Sequence, residues 1–216
     1  MAGEKYFVSW SGGKDSYLSL LKARKAGLKV EALLTFVHKE GASMSHGFPL
    51  RLMEKQALLI GLPLYAESVT WEEYEDGFFR KAKELKEKGF SGGIFGDINI
   101  VGHRQWVEES CRCAGLKSYL PLWGMQEEEV LGELLDREAE LLVVALRADM
   151  VDSGWLGKTI NKEFVEHLRT INVSPCGENG EYHTLVLNGP LFKERLPVNF
   201  LGPQSTKNHL FLDYEE

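Results

Sequence analysis

Cysteine is scarce in this chain of 216 residues, which holds three: Cys111, Cys113 and Cys176. An odd number without regular spacing supports no disulfide framework and points to a reducing compartment. The pair in Cys111-Arg112-Cys113 makes no zinc site alone, because no further Cys or His stands at ligand spacing. The six histidines, at 38, 46, 103, 167, 183 and 209, are scattered. The thiols read as structural, with their roles left open. No apolar run approaches the roughly 20 residues of a membrane span. The opening Met-Ala-Gly-Glu-Lys leads straight into an extended segment, so the expectation is a cytoplasmic protein without membrane contact. Positive charge is also short: 25 Lys and Arg against 32 Asp and Glu give a net charge of -7. That balance argues against a broad nucleic-acid surface, though not against a local basic pocket for a nucleotide. Internal repeats, low-complexity tracts and Pro/Gly/Ser linkers are missing too. Homo-oligomerisation is left open.

What is present is ordinary for a globular chain: 44% hydrophobic and 26% charged residues. At this length folding hides roughly 70% of the unfolded surface, so no covalent staple is needed. Continuous apolar runs alternate with stretches of helical period. "KYFVSW" (5–10), "VEALLTFV" (30–37), "LPLYAESV" (62–69) and "GGIFGDI" (92–98) read as strands. Helices are expected over 14–26, 50–60, 71–89 and 103–114, several closing on glycine. Strands alternating with helices predict a parallel sheet. Further on, "SYLPLW" is extended, 126–137 helical, "AELLVVAL" (139–146) a strand, "NKEFVEHLRTI" helical and "EYHTLVL" (181–187) extended. No element is assigned beyond 187. The expected organisation is a nucleotide-binding domain over 1–115 and a smaller mixed α/β part over 116–216.

The most informative stretch is "FVSWSGGKDSYLSLL" (7–21), where a strand stops on two glycines and restarts at once as a helix. Gly12 and Gly13 let backbone N–H groups turn toward an anion with no Cβ in the way. The helix start adds partial positive charge and free donors. Ser11 and Ser16 offer hydroxyls, and Lys14 offers charge. The spacing is neither GxxxxGK[ST] nor GxGxxG. A plain Gly-Gly turn with a capping Ser or Asp would need neither the lysine nor the second serine.

Ser11-Gly12-Gly13-Lys14-Asp15-Ser16 resembles the pyrophosphate loop (PP-loop) of the ATP pyrophosphatases, in the adenine nucleotide alpha-hydrolase superfamily. That resemblance implies a HUP-type, Rossmann-like fold and cleavage of ATP between its α and β phosphates. Three further stretches narrow it: "GDINIVGHRQWVEESCRCAGLKSYLPLW" (96–123), "WLGKTIN" (155–161) and "CGENGEYHT" (176–184). With the loop they are similar to the diphthine–ammonia ligase family over nearly the whole chain. Such enzymes adenylate the carboxylate of diphthine, a modified histidine of translation elongation factor 2, and ammonia then displaces AMP.

The resemblance implies roles residue by residue. Ser11 to Ser16 would hold the pyrophosphate, and Asp15 and Asp97 a Mg²⁺ ion. Arg104 and Lys158 would offset charge on the α phosphate. Glu178 and Glu181 would receive or deprotonate ammonia. Against this stand plainer readings: Arg104 and Glu108 as an i, i+4 surface pair, Lys158 as an exposed loop charge, the two glutamates as a solvated turn. The family pattern is also broken in places. "TWEEYEDGFFRK" (70–81) replaces an acidic Glu-Gly-Asp-Glu, and "ASMSHG" (42–47) replaces a Ser-Tyr-Met stretch. Asn179 replaces Gly, and His183 replaces Glu. These departures cluster where the acceptor is expected, while the ATP loop is intact. Two other functions stay open: a PP-loop ATP pyrophosphatase acting on another metabolite or on tRNA, and a non-catalytic ATP-binding regulator.

Overall fold

In the computed structural model, which describes residues 3–44, 47–206 and 208–214, the chain divides into two compact units. One joins Met1–Ser11 to Asp15–Met125; the other joins Gly12–Lys14 to Gln126–Glu216. Ser45 and His46 of the 42–47 stretch lie outside the described residues. Among those described, no helix is long and apolar enough to cross a membrane.

The first unit is built on a parallel sheet of β1 (Lys5–Ser9), β2 (Lys29–Val37), β3 (Leu64–Ser68), β4 (Phe90–Ile94) and β5 (Lys117–Tyr119). Its strand order is β3-β2-β1-β4-β5. The helices are α1 (Lys14–Lys25), α2 (Leu50–Ile60), α3 (Tyr74–Glu87) and α4 (Val101–Cys113). The middle residues of β1 and nearly all of β2 are buried, which is why these strands read as unbroken apolar runs. Phe7, Phe36, Phe78, Phe90 and Phe95 gather in one core cluster with Val107 of α4. Trp10 is fully enclosed just past β1, and its indole N–H donates to Gln56 Oε1 at 3.0 Å. That bond satisfies two polar groups which burial would otherwise penalise.

The expected fourth strand over 92–98 is displaced: β4 ends at Ile94. Phe95 N–H still donates to Tyr119 O at 2.9 Å, and the chain then leaves the ladder. Asp97 therefore stands three residues beyond the strand, on a free segment at its carboxyl end.

The second unit carries an antiparallel sheet of β6 (Glu140–Arg147), β7 (Tyr182–Asn188), β8 (Phe200–Ser205) and β9 (His209–Tyr214), ordered β7-β6-β9-β8. With it go α5 (Glu127–Asp136), α6 (Lys162–Thr170) and a short 3₁₀ turn at Ser153–Trp155. Asn161 caps α6, its Oδ1 accepting from Phe164 N at 2.9 Å. The β8–β9 hairpin has no counterpart in the sequence-based expectation. β8 contains Gly202 and Pro203 and is mostly exposed, so it has neither strand composition nor a buried face. It is an edge strand, the place where a sheet tolerates proline.

Candidate active site

β1 and β4 are neighbours where the strand order reverses, and open parallel sheets take ligands just outside the carboxyl ends at that point. Ser11 follows the end of β1, and Ser16 lies in the first turn of α1; the Ser11 hydroxyl donates to Ser16 Oγ at 3.2 Å. Gly96 follows β4. A Cβ added there would stand 3.0 Å from the backbone carbonyl carbon of Asp15 and 3.2 Å from its Cβ. Glycine lets the second strand end approach the loop this closely without making Asp15 give way.

The next residue, Asp97, is brought by that approach into the electrostatic field of Asp15. Burial raises its carboxyl above the usual carboxylate range; the adjacent His103 opposes the rise and Asp15 adds to it. His103 Nδ1 lies 3.4 Å from Asp97 Oδ1. Two carboxylates in a desolvated place suit a hard divalent cation of the Mg²⁺ kind, which needs one or two protein carboxylates plus substrate phosphates. Among the described residues no cluster of three or more His, Cys, Asp or Glu forms an all-protein metal cage. Arg104 engages elsewhere in this unit. Its Nε donates to Glu108 Oε1 at 2.7 Å, and its guanidinium lies 5.0 Å from the Trp123 ring centre.

Beside Asp97 opens a cavity of about 490 Å³ lined by residues of β1, α3, α4 and the segments before α3 and after β4. Trp71, Tyr74, Phe78, Phe95 and Trp106 form much of its wall, with Glu75, Asp97 and His103 as its charged members. Burial, with Asp97 adding to it, pushes the Tyr74 hydroxyl up to about 12. From the sequence, Trp71 and Trp106 are expected to pack the core or line an adenine pocket, whereas Tyr74 and Glu75 belong to no site list, although "TWEEYEDGFFRK" marks that stretch as a departure from the family pattern.

In the second unit the middle of the glycine loop is held by β7. Gly12, at φ 81°, needs the left-handed backbone that glycine adopts freely. Its carbonyl accepts from Val186 N at 3.0 Å, and Lys14 N–H donates to Thr184 Oγ1 at 3.1 Å. Lys14 is 4% exposed, with its ammonium 5.4 Å from the Tyr182 ring centre. Tyr182 is itself fixed, its hydroxyl donating to Pro175 O at 2.5 Å and its ring meeting Phe164 edge-on. His183 is half-buried, and its imidazole is pushed down to about 4, first by desolvation and then by the charge of Lys14.

"CGENGEYHT" is an ordered loop rather than a solvated turn. Glu181 is 2% exposed and accepts from Asn179 N at 2.9 Å and from Asn179 Nδ2 at 3.0 Å. Glu178 N–H donates to Ser174 Oγ at 3.1 Å. The Ser174 hydroxyl donates to Glu127 Oε2, which also accepts from Cys176 N at 2.9 Å. Cys176 Sγ lies 3.4 Å from Glu127 O, so this thiol is bound into the loop's support. Lys158 is exposed, its ammonium 5.2 Å from the Trp155 ring centre. Thr184 and Glu127 are the residues that sequence reasoning missed. Thr184 ends a motif already quoted, whereas Glu127 is one of three successive glutamates with nothing local to single it out.

Fold and loop together define an α/β protein of the PP-loop, nucleotide-binding class. The model of the diphthamide synthase N-terminal domain matches residues 4–118, and that of the diphthamide synthase C-terminal domain matches 126–213. The chain belongs to the diphthamide synthase family. It is 29% identical over 210 residues to the diphthine–ammonia ligase of Schizosaccharomyces pombe, covering 86% of this chain and 34% of that protein. To the human diphthine–ammonia ligase it is 27% identical over 216 residues, covering 88% of this chain and 80% of that one. The chain thus spans about a third of the yeast relative and four fifths of the human one. By name these relatives join ammonia to diphthine and so are carbon–nitrogen ligases.

Proposed function

We propose that this chain is an ATP-dependent ligase that adenylates the carboxylate of diphthine on elongation factor 2 and transfers ammonia to it. The observation that carries the reading is Lys14, a buried lysine in a glycine loop at the carboxyl end of β1. A carboxylate is a poor acyl donor because oxide leaves badly, and adenylation replaces that leaving group with AMP. In the first step a carboxylate oxygen attacks the α-phosphorus of ATP; the bond to the β-phosphate oxygen breaks, and pyrophosphate departs. In the second, ammonia attacks the acyl carbon, the bond to AMP breaks, and nitrogen loses a proton.

This chain's groups serve those steps by positioning and charge. Backbone N–H groups of the Ser11–Ser16 loop, apart from that of Lys14 which is given to Thr184, and the Lys14 ammonium hold the departing pyrophosphate. Asp15 and Asp97 would hold a Mg²⁺ ion, which supplies charge neutralisation on the phosphates when bound. Arg104 and Lys158 are this chain's candidates for offsetting charge on the α phosphate. Glu178 takes the proton from the incoming nitrogen, and Glu181 orients its loop through Asn179. Lys14→Ala and Asp97→Ala are each expected to abolish AMP formation from ATP, ammonium and the acceptor while the far-ultraviolet circular dichroism stays unchanged. Wild-type rates in both variants overturn the assignment.

A further inference from the structure

Glu181 is 2% exposed, yet its carboxylate forms no ion pair among the described residues. Its donors are both on Asn179: the backbone N lies 2.9 Å from Oε2 and Nδ2 lies 3.0 Å from Oε1. A carboxylate has about four acceptor sites, so two neutral N–H groups leave it half satisfied and uncompensated in charge. Burial of such a group is unfavourable unless a cation or further donors complete it. The cations that sense its field are not available to it. Arg147 is committed to Asp149, donating from Nε at 3.2 Å and from Nη2 at 2.8 Å. His183 stays neutral at neutral pH, because desolvation and then the charge of Lys14 push its imidazole down to about 4. The loop around Glu181 is tight. A Cβ added to Gly177 would stand 2.9 Å from the backbone O of Tyr182, the residue after Glu181. Such surroundings favour a small ligand. One carboxylate balances one positive charge, and its remaining lone pairs accept N–H bonds.

We propose that Glu181 captures ammonium, the form in which nearly all ammonia exists in neutral water, and holds it for the amide-forming step. This rests on the reading that ammonia is the nitrogen donor, and it adds where the cation is held and by what. The captured ion must lose one proton before its nitrogen can attack, and Glu178 of the same loop accepts that proton. Asn179, which stands where the family pattern has Gly, fixes the carboxylate with its two donors and leaves the other lone pairs to the cation.

Two measurements on the full chain test this. In the first, nitrogen-15 ammonium is titrated without ATP or acceptor and followed by nuclear magnetic resonance. A saturable, slowly exchanging ammonium signal is expected for wild type, with its loss in Glu181→Gln. Potassium, similar in size but without N–H groups, is expected to displace the ion only weakly. In the second, amidation is measured with ammonium and with hydroxylamine, which is largely uncharged at neutral pH. In Glu181→Gln the kcat/KM for ammonium, taken relative to that for hydroxylamine, is expected to fall about tenfold. A folding or loop defect would impair both nucleophiles alike, and that result overturns the proposal. So does an ammonium signal that persists in Glu181→Gln, or displacement by potassium at equal concentration, which would make this an unselective site for monovalent cations. Binding by wild type with no amidation would refute the ligase reading and not the ammonium site. Amidation with equal losses for both nucleophiles would refute the site alone.

Discussion

Acidification tests how the glycine loop is wired to β7, through His183. An imidazole in water titrates near 6.5, and that of His183 is held at about 4 by burial and by the charge of Lys14. The unfolded chain therefore binds a proton that the folded chain refuses between these values. Stability from this group is fully present above about pH 6.5 and is lost as pH falls toward 4. At about 1.36 kcal/mol per unit the whole shift sets a ceiling of about 3 kcal/mol. Between pH 7 and pH 5 the loss works out to about 2 kcal/mol. Urea unfolding of wild type and His183→Gln at both pH values isolates it, because other titrating groups contribute equally to the two proteins. The variant's stability should fall about 2 kcal/mol less than the wild type's over that interval. Equal falls in the two proteins refute the reasoning. The His183 imidazole followed by nuclear magnetic resonance gives a second check. If the loop holds phosphate, ATP offsets the Lys14 charge and His183 titrates higher in its presence.

Thr184→Val keeps the side chain's shape and removes the acceptor of the Lys14 amide. About 1 kcal/mol of stability and a raised KM for ATP with a smaller change in kcat are expected; an unchanged KM disconnects that bond from nucleotide binding. Glu127→Ala removes the acceptor shared by Ser174 and Cys176 and is expected to destabilise the protein by about 1–3 kcal/mol. Thermal unfolding measures it, and an unchanged midpoint means the 174–181 loop stands without that brace.

The parallel sheet was legible because its inner strands β1, β2 and β4 are mostly buried and its helices carry clear apolar stripes, as in α2 and α3. The β8–β9 hairpin was not, since Gly202, Pro203 and wide exposure hide an edge strand from any periodicity. "SGGKDS" announced an anion loop from six residues, because glycines, lysine and serines at a strand end have a local chemical meaning. Its hold on β7 was invisible: the bond from Lys14 to Thr184 spans 170 positions, a distance no local pattern encodes. Arg104 and Glu108 were legible as an i, i+4 pair, which the structure forms at 2.7 Å. The aromatic cavity was only half legible. Trp71, Tyr74 and Phe78 share one stretch, but Trp106 and Asp97 join them through the packing of α4 and the end of β4.

The most direct test of the central claim is product identity. The chain is incubated with ATP, Mg²⁺, ammonium and elongation factor 2 bearing diphthine, and nucleotides, pyrophosphate and the acceptor's mass are followed together. The account predicts AMP and pyrophosphate in equal amounts, one of each per acceptor amidated, and no AMP when Lys14 is replaced by Ala. ADP and inorganic phosphate in their place would contradict it.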